Sequence, residues 1–228
     1  MPIPTQTTAV ESGRLLLADV VYERLLTVIV SGDLAPGEVV REEEIGEWLG
    51  VSRTPVRDAM RRLGEQDLLV YQPNRGSRVA PLDGARLAQI LEVTAALEGM
   101  AARLAVARSG PDERATIRAR VRALADEYRA GVGPHDAADA QAVLTLLVER
   151  CDNPVLQRTI GHLTPHQRRL QALCPTYFSE PEIRTATDAI LGALDDGDAE
   201  GVGYQVQAYC LQLGRRLLAA AGAAALVG

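Results

Sequence analysis

Apolar residues recur at helical spacing over residues 14–30, where Leu17, Val21, Leu25, Val28 and Ile29 form one stripe. A first helix is predicted there, stopped by Ser31-Gly32-Asp33 and followed by a turn at Ala35-Pro36-Gly37-Glu38. A short second helix is predicted over residues 42–49. Ile45, Trp48 and Leu49 make its apolar side, and Glu42, Glu43 and Glu44 lie near its N-terminal end, where the helix dipole favours acids. Gly50 closes it, and Ser52 is placed as the N-cap of a third helix that tolerates Pro55 in its first turn. Val56, Ala59, Met60 and Leu63 face inward there, so Arg53, Thr54, Arg57 and Arg61 point outward near one another. After Gln66 the period shortens: residues 68–72 and 77–80 read as two strands about the turn Pro73-Asn74-Arg75-Gly76.

Pro81-Leu82-Asp83-Gly84 reads as a linker, and from about Ala85 onward the pattern is helical throughout. Breaks at residues 109–111, 131–134, 152–154, 174–181 and 195–198 divide it into six helices, expected to pack as an antiparallel bundle. The expected fold is mainly α. Residues 1–81 form a winged helix-turn-helix with a small β-hairpin wing, and residues 82–228 form an all-helical bundle.

Composition fits this picture. With 47% hydrophobic but only 4% aromatic residues, the core must be built from Leu, Val and Ala, which suits helices. The net charge of −6 is unusual for a nucleic-acid binder until its distribution is read. Residues 1–50 hold three Arg against nine acids, whereas residues 51–80 hold six Arg against three. A basic patch on an acidic body concentrates attraction at the outward side of the third helix. Cys151, Cys174 and Cys210 are odd in number and widely spaced, which reads as reduced thiols. No apolar run long enough for a membrane span occurs and the N-terminus has no signal-peptide pattern, so a cytoplasmic location is expected.

The segments Pro36-Gly37, Val51-Ser52-Arg53-Thr54-Pro55-Val56-Arg57 with Ala59 and Leu63, and Pro73-Asn74-Arg75-Gly76 with Val79 resemble the GntR family of bacterial transcription regulators. The helical remainder resembles the FadR-type subfamily with its FCD ligand-binding domain, through Leu97-Glu98, Asn153-Pro154-Val155-Leu156 and residues 193–199. The resemblance implies a DNA-binding set of Arg41, Ser52, Arg53, Thr54, Arg57, Arg61, Asn74, Arg75 and Gly76. Arg53 and Arg57 would reach base edges or phosphates, Ser52 and Thr54 would bond phosphates, and Arg75 with Gly76 would enter the minor groove. Arg61 and Arg62 read equally well as a solvated face.

Many FCD domains hold a metal through one Asp and three His. Aligned on Asn153 and Asp198, those positions carry Ala140, Leu144, Thr187 and Tyr209, and the Arg that often meets a carboxylate effector is Thr94. None supplies a carboxylate or imidazole. The expectation is therefore no metal or other cofactor. The cavity should be more apolar than in metal-binding relatives, lined in part by Thr94, Leu144, Thr187 and Tyr209, and suited to a less anionic effector. His135 with Asp139, and His162 with His166, read as structural or solvated pairs.

No Ser-His-Asp order, P-loop, G-x-G-x-x-G or H-E-x-x-H occurs, which argues against an enzyme. The function expected is a ligand-responsive repressor that binds a palindromic double-stranded operator as a homodimer and makes no membrane contact. The alternative is a DNA-binding regulator whose helical domain only dimerises and senses nothing.

Overall fold

The computed structural model describes residues 17–72, 76–129, 137–174 and 178–225. Among these residues the chain is mainly helical with one small sheet, and it divides into two compact units. The first comprises Met1–Asp83 together with Pro165–Leu173; the second comprises Gly84–Thr164 and Cys174–Gly228.

The first unit runs α1 (Leu17–Ser31), β1 (Val39–Val40), α2 (Glu42–Leu49), α3 (Arg53–Glu65), β2 (Leu69–Gln72) and β3 (Gly76–Val79). Its core gathers Val21, Leu25 and Ile29 from α1, Ile45 from α2, Val56, Ala59 and Leu63 from α3, Leu68 from the turn before β2, and Leu69 and Val79 from the sheet. The helical stripe of α1 becomes buried from Val21 onward. Leu17, one turn earlier, stays exposed, and Trp48 only leans on the core. The two expected strands pair antiparallel with Leu69 opposite Val79 and Gln72 opposite Gly76. A third strand, β1, adds to the other edge of β3 with Val39 opposite Arg78, giving the order β1-β3-β2.

Polar contacts then fix the far end of α3. The Tyr22 hydroxyl donates to Gln66 Oε1 at 2.8 Å, and Arg62 reaches Asp19 at 2.5 Å while its guanidinium lies 4.2 Å over the Tyr22 ring. Burial pushes the Tyr22 phenol up from its usual range. Residues 165–173 add a buried guanidinium to this unit. Arg169 donates to the Ala80 carbonyl at 2.6 Å, and burial pushes it down to about 10.

The second unit contains α4 (Gly84–Arg108), α5 (Pro111–Arg129), α6 (Ala137–Arg150), the first part of α7 (Pro154–Leu173), α8 (Glu180–Asp195) and α9 (Ala199–Ala225). Helix α4 packs chiefly on α9, and the pairing is antiparallel: Leu91 lies by Gly214, Gly99 by Gly203, and Arg103 bonds Glu200 at 3.0 Å. Helix α8 returns along α9, where Glu182 pairs with Arg216 after a capping box in which Ser179 N–H and Oγ–H both donate to Glu182 Oε2. Arg118 on α5 reaches Asp195 at the end of α8 at 2.5 Å. The apolar cluster inside combines Ala95, Ala102 and Ala105 with Val121, Leu144, Leu147, Ile190, Val206 and Cys210. Small residues on α4 are what allow α9 so close.

Gly99 sets that approach, since a Cβ there would lie 2.8 Å from both Gly203 O and Gln207 Cβ. Alanine gains about 1 kcal/mol of helix propensity over glycine, but overpacking against backbone costs about 1–3 kcal/mol, so the clash wins. Gly99→Ala is expected to lower the urea midpoint. Gly192→Ala on α8, whose added Cβ meets nothing within 4 Å beyond its own helix backbone, is expected to raise it. An increase for both variants would contradict the packing described.

Candidate nucleic-acid interface and helical interior

Gly50 reverses the chain between α2 and α3. It takes φ +67°, and its N–H caps Gly46 O, a left-handed conformation in which a side chain is strained. The reversal sets α2 and α3 as a helix-turn-helix, with the buried side of α3 carried by Val56, Ala59, Met60 and Leu63. Ser52 stands at the N-cap, but its hydroxyl makes no capping hydrogen bond, and no acid lies in the first turn of α3. The first-turn N–H groups therefore form a positive, exposed helix end.

Ser52, Arg53, Thr54, Arg57 and Arg61 are all exposed, as the spacing predicts. The guanidinium groups are not solitary, however. Arg57 donates from Nε to Glu42 Oε1 at 3.1 Å and from Nη2 to Glu42 Oε2 at 2.9 Å, a two-bond fork. Arg53 lies 3.3 Å from Glu43, Arg41 bonds Glu44 at 2.6 Å, and Arg61 pairs with Glu65 one turn along α3. Arg57's hydrogen bonds hold the Glu42 carboxyl below its ordinary range and raise the guanidinium in turn. The Arg53 and Arg57 side chains remain 66% and 68% exposed. Exposed ion pairs contribute about 0–1 kcal/mol, so these contacts orient the guanidiniums without sequestering them. The fork also leaves a defined edge: with Nε and one side of Nη2 taken by Glu42, the Nη1–Nη2 end points away from α2.

From sequence alone Glu42 and Glu43 are only helix-dipole acids. Their pairing with residues 10 and 15 positions later emerges only once the turn brings α2 against α3. In the wing, Gly76 has φ +79° and opens β3, and Arg78 is pinned by Gln72 Oε1 and Gly37 O rather than extended outward. Asn74 and Arg75 lie outside the described residues.

In the helical unit, Thr94, Leu144 and Thr187 are buried and Tyr209 is half-buried. Leu144 and Tyr209 join the same apolar cluster, to which the neighbouring Ala95 on α4 and Ile190 on α8 also belong. Tyr209 packs on Phe178 with ring centroids 5.1 Å apart. The sequence assigns the acidic group there no role beyond the Leu97-Glu98 motif. Glu98 sits one turn from Thr94, is 2% exposed, shares a hydrogen bond with the Cys210 thiol, and leaves Oε2 buried without a partner. Burial pushes its carboxyl up to about 7 and drives the Cys210 thiol well above its usual range. Among the described residues, no three His, Cys, Asp or Glu side chains come together as a metal site. His162 is exposed, His166 Nε2 lies 2.8 Å from Gln66 O, and His135 is outside the described residues.

A winged helix-turn-helix with an arginine-bearing outward helix, followed by a helical bundle, defines a DNA-binding regulator. Residues 17–79 match the model for bacterial regulatory proteins of the gntR family, and residues 89–211 match the FCD domain. The chain belongs to the GntR family, in its FCD-bearing branch, whose members are transcriptional regulators. It is 29% identical over 187 residues to a protein of Paenarthrobacter nicotinovorans named as a probable D-xylose utilization operon transcriptional repressor, covering 82% of each chain. It is 38% identical over 89 residues to the Nta operon transcriptional regulator of Aminobacter aminovorans, covering 39% of this chain and 42% of that one. In fold it is similar to E. coli McbR/YncC, with a TM-score of 0.69 at 24% identity, covering 90% of this chain and 97% of that one. None of the described helices is long and apolar enough to cross a membrane.

Proposed function

We propose that this regulator is a repressor that binds a palindromic operator as a homodimer and is released or repositioned when a small molecule enters its helical domain. The exposed N-terminal end of α3, with Ser52, Arg53, Thr54 and Arg57 around unsatisfied N–H groups, carries the reading. Arg53 and Arg57 read bases in the major groove; Arg41, Ser52, Thr54 and Arg61 hold phosphates; Asn74, Arg75 and Gly76 follow the backbone into the adjacent groove. Repression is supported by the name of the relative that spans four-fifths of this chain. A second copy of the chain is supported by an apolar strip outside the bundle, where Val93 and Met100 stand two turns apart on α4 and remain 50% and 41% exposed.

Dimerisation would set two copies of α3 about 34–36 Å apart, one DNA turn. An effector weakens DNA binding only by its differential affinity for the two arrangements of such a dimer. The effector reading places Thr94, Leu144, Thr187 and Tyr209 around the ligand and involves no metal. Stoichiometric zinc, nickel or manganese in the purified protein would overturn the metal-free part. Sequencing the genomic fragments that purified protein selects tests the rest. Inverted repeats with half-sites one turn apart are expected; recovery of fragments without a shared sequence would contradict the operator reading.

A further inference from the structure

Among the described residues of the helical unit, the buried polar side chains are Thr94, Glu98, Ser109 and Thr187, and none carries a positive charge. The two threonine hydroxyl protons are already committed. Thr94 Oγ1 donates to Ile90 O at 2.8 Å, and Thr187 Oγ1 donates to Ile183 O at 2.9 Å. Each hydroxyl can still accept a hydrogen bond, but neither has a proton left to give. Cys210 is engaged with Glu98, and Glu98 Oε2 has no partner at all. Around Glu98 the unspent capacity is therefore acceptor capacity, on its carboxyl and on a threonine one turn away on α4, whereas on α5 Arg118 Nε is a buried donor and Glu127 Oε2 a buried acceptor without partners. Glu38, Glu44 and Glu127 each also leave one carboxyl oxygen without a partner, but those side chains are only partly buried, whereas Glu98 is 2% exposed and its unsatisfied oxygen calls for an explanation. With Glu98 ionised, a carboxylate ligand beside Glu98 and Thr94 would find no buried cation and no uncommitted threonine proton, and would bring a second negative charge next to the first.

We propose that the effector of this domain carries a protonated amine or guanidine group, and that Glu98 Oε2 receives its N–H bonds with Thr94 Oγ1 as a second acceptor. The inference rests on the reading of the helical domain as an effector site. It adds the chemical class that the interior accepts and names Glu98 as the residue that selects it.

The test uses the full chain and its Glu98→Gln and Glu98→Asp variants. Thermal unfolding and isothermal titration are run with agmatine, putrescine and ethanolamine, and with succinate, butyrate and D-xylose as counter-probes. At least one amine is expected to raise the wild-type midpoint and to bind on the order of ten- to a hundredfold more weakly to Glu98→Gln, the range for a lost hydrogen bond to a charged group. Glu98→Asp, which keeps the charge, recovers part of that loss. A midpoint shift from succinate, butyrate or D-xylose that persists in Glu98→Gln would overturn the cationic class while leaving an effector site standing. No response to any of the six compounds would count against both readings. An amine response equal in wild type and Glu98→Gln would remove Glu98 from the site.

Discussion

Arg57→Ala lowers affinity for a selected operator by about ten- to a hundredfold and relaxes preference at one base position in each half-site. The size follows from what the side chain offers. Its outer guanidinium edge, left open by the Glu42 fork, matches the O6 and N7 acceptors of a guanine. Arg61→Ala should behave differently: affinity falls uniformly over all sequences and the salt dependence drops by about one phosphate contact. Glu42→Gln separates orientation from charge. Losing a carboxylate near the DNA backbone strengthens binding to scrambled DNA, while losing the fork weakens binding to the selected site, so the ratio between them shrinks. Fluorescence anisotropy titrations at two salt concentrations measure all three. An Arg57→Ala protein with unchanged affinity and unchanged base preference would remove Arg57 from base reading.

Stability should fall as pH rises from about 4.5 to 7, and Glu98→Gln should abolish that fall. The sign comes from linkage. The Glu98 carboxyl is raised from the ordinary 4.5 to about 7 in the folded chain, so over this window the folded state holds the proton more tightly than the unfolded state. Below the unfolded value both states are protonated and the group costs nothing. As pH climbs toward the folded value the advantage of unfolding grows, and it is complete above it. A shift of this size corresponds to on the order of 3 kcal/mol. In the absence of effector, Glu98→Gln is therefore expected to be more stable than wild type at pH 8 and close to it at pH 5, measured by urea unfolding followed by circular dichroism. Parallel stability profiles for the two proteins would show that Glu98 stays charged in the fold.

The helices were written in the pattern of apolar residues more plainly than the contacts between them. The span of α2, the start of α3 after Ser52, and the inward set Val56, Ala59, Met60 and Leu63 all follow from local spacing. Strand β1 does not, because two residues cannot display an alternation; Val39 and Val40 become a strand only by pairing with Arg78 and Ser77. The Glu42–Arg57 fork likewise joins residues 15 positions apart on different helices, beyond any one-helix rule. Glu98 enters from the sequence only within the Leu97-Glu98 motif, although its burial is legible there. It lies on the same face as Leu91, Thr94, Ala95 and Ala102, and a charged residue inside an apolar stripe marks a buried ionisable group. Its unsatisfied oxygen, by contrast, depends on what α9 brings opposite it, and no local pattern encodes that.

Methylation interference on the selected operator tests most directly that α3 lies in the major groove with Arg57 on a guanine. A methyl group at N7 of one guanine per half-site is expected to block wild-type binding and to have no effect on the residual binding of Arg57→Ala. If 7-methylguanine is tolerated at every position of the site, the recognition helix does not read the major groove in this way.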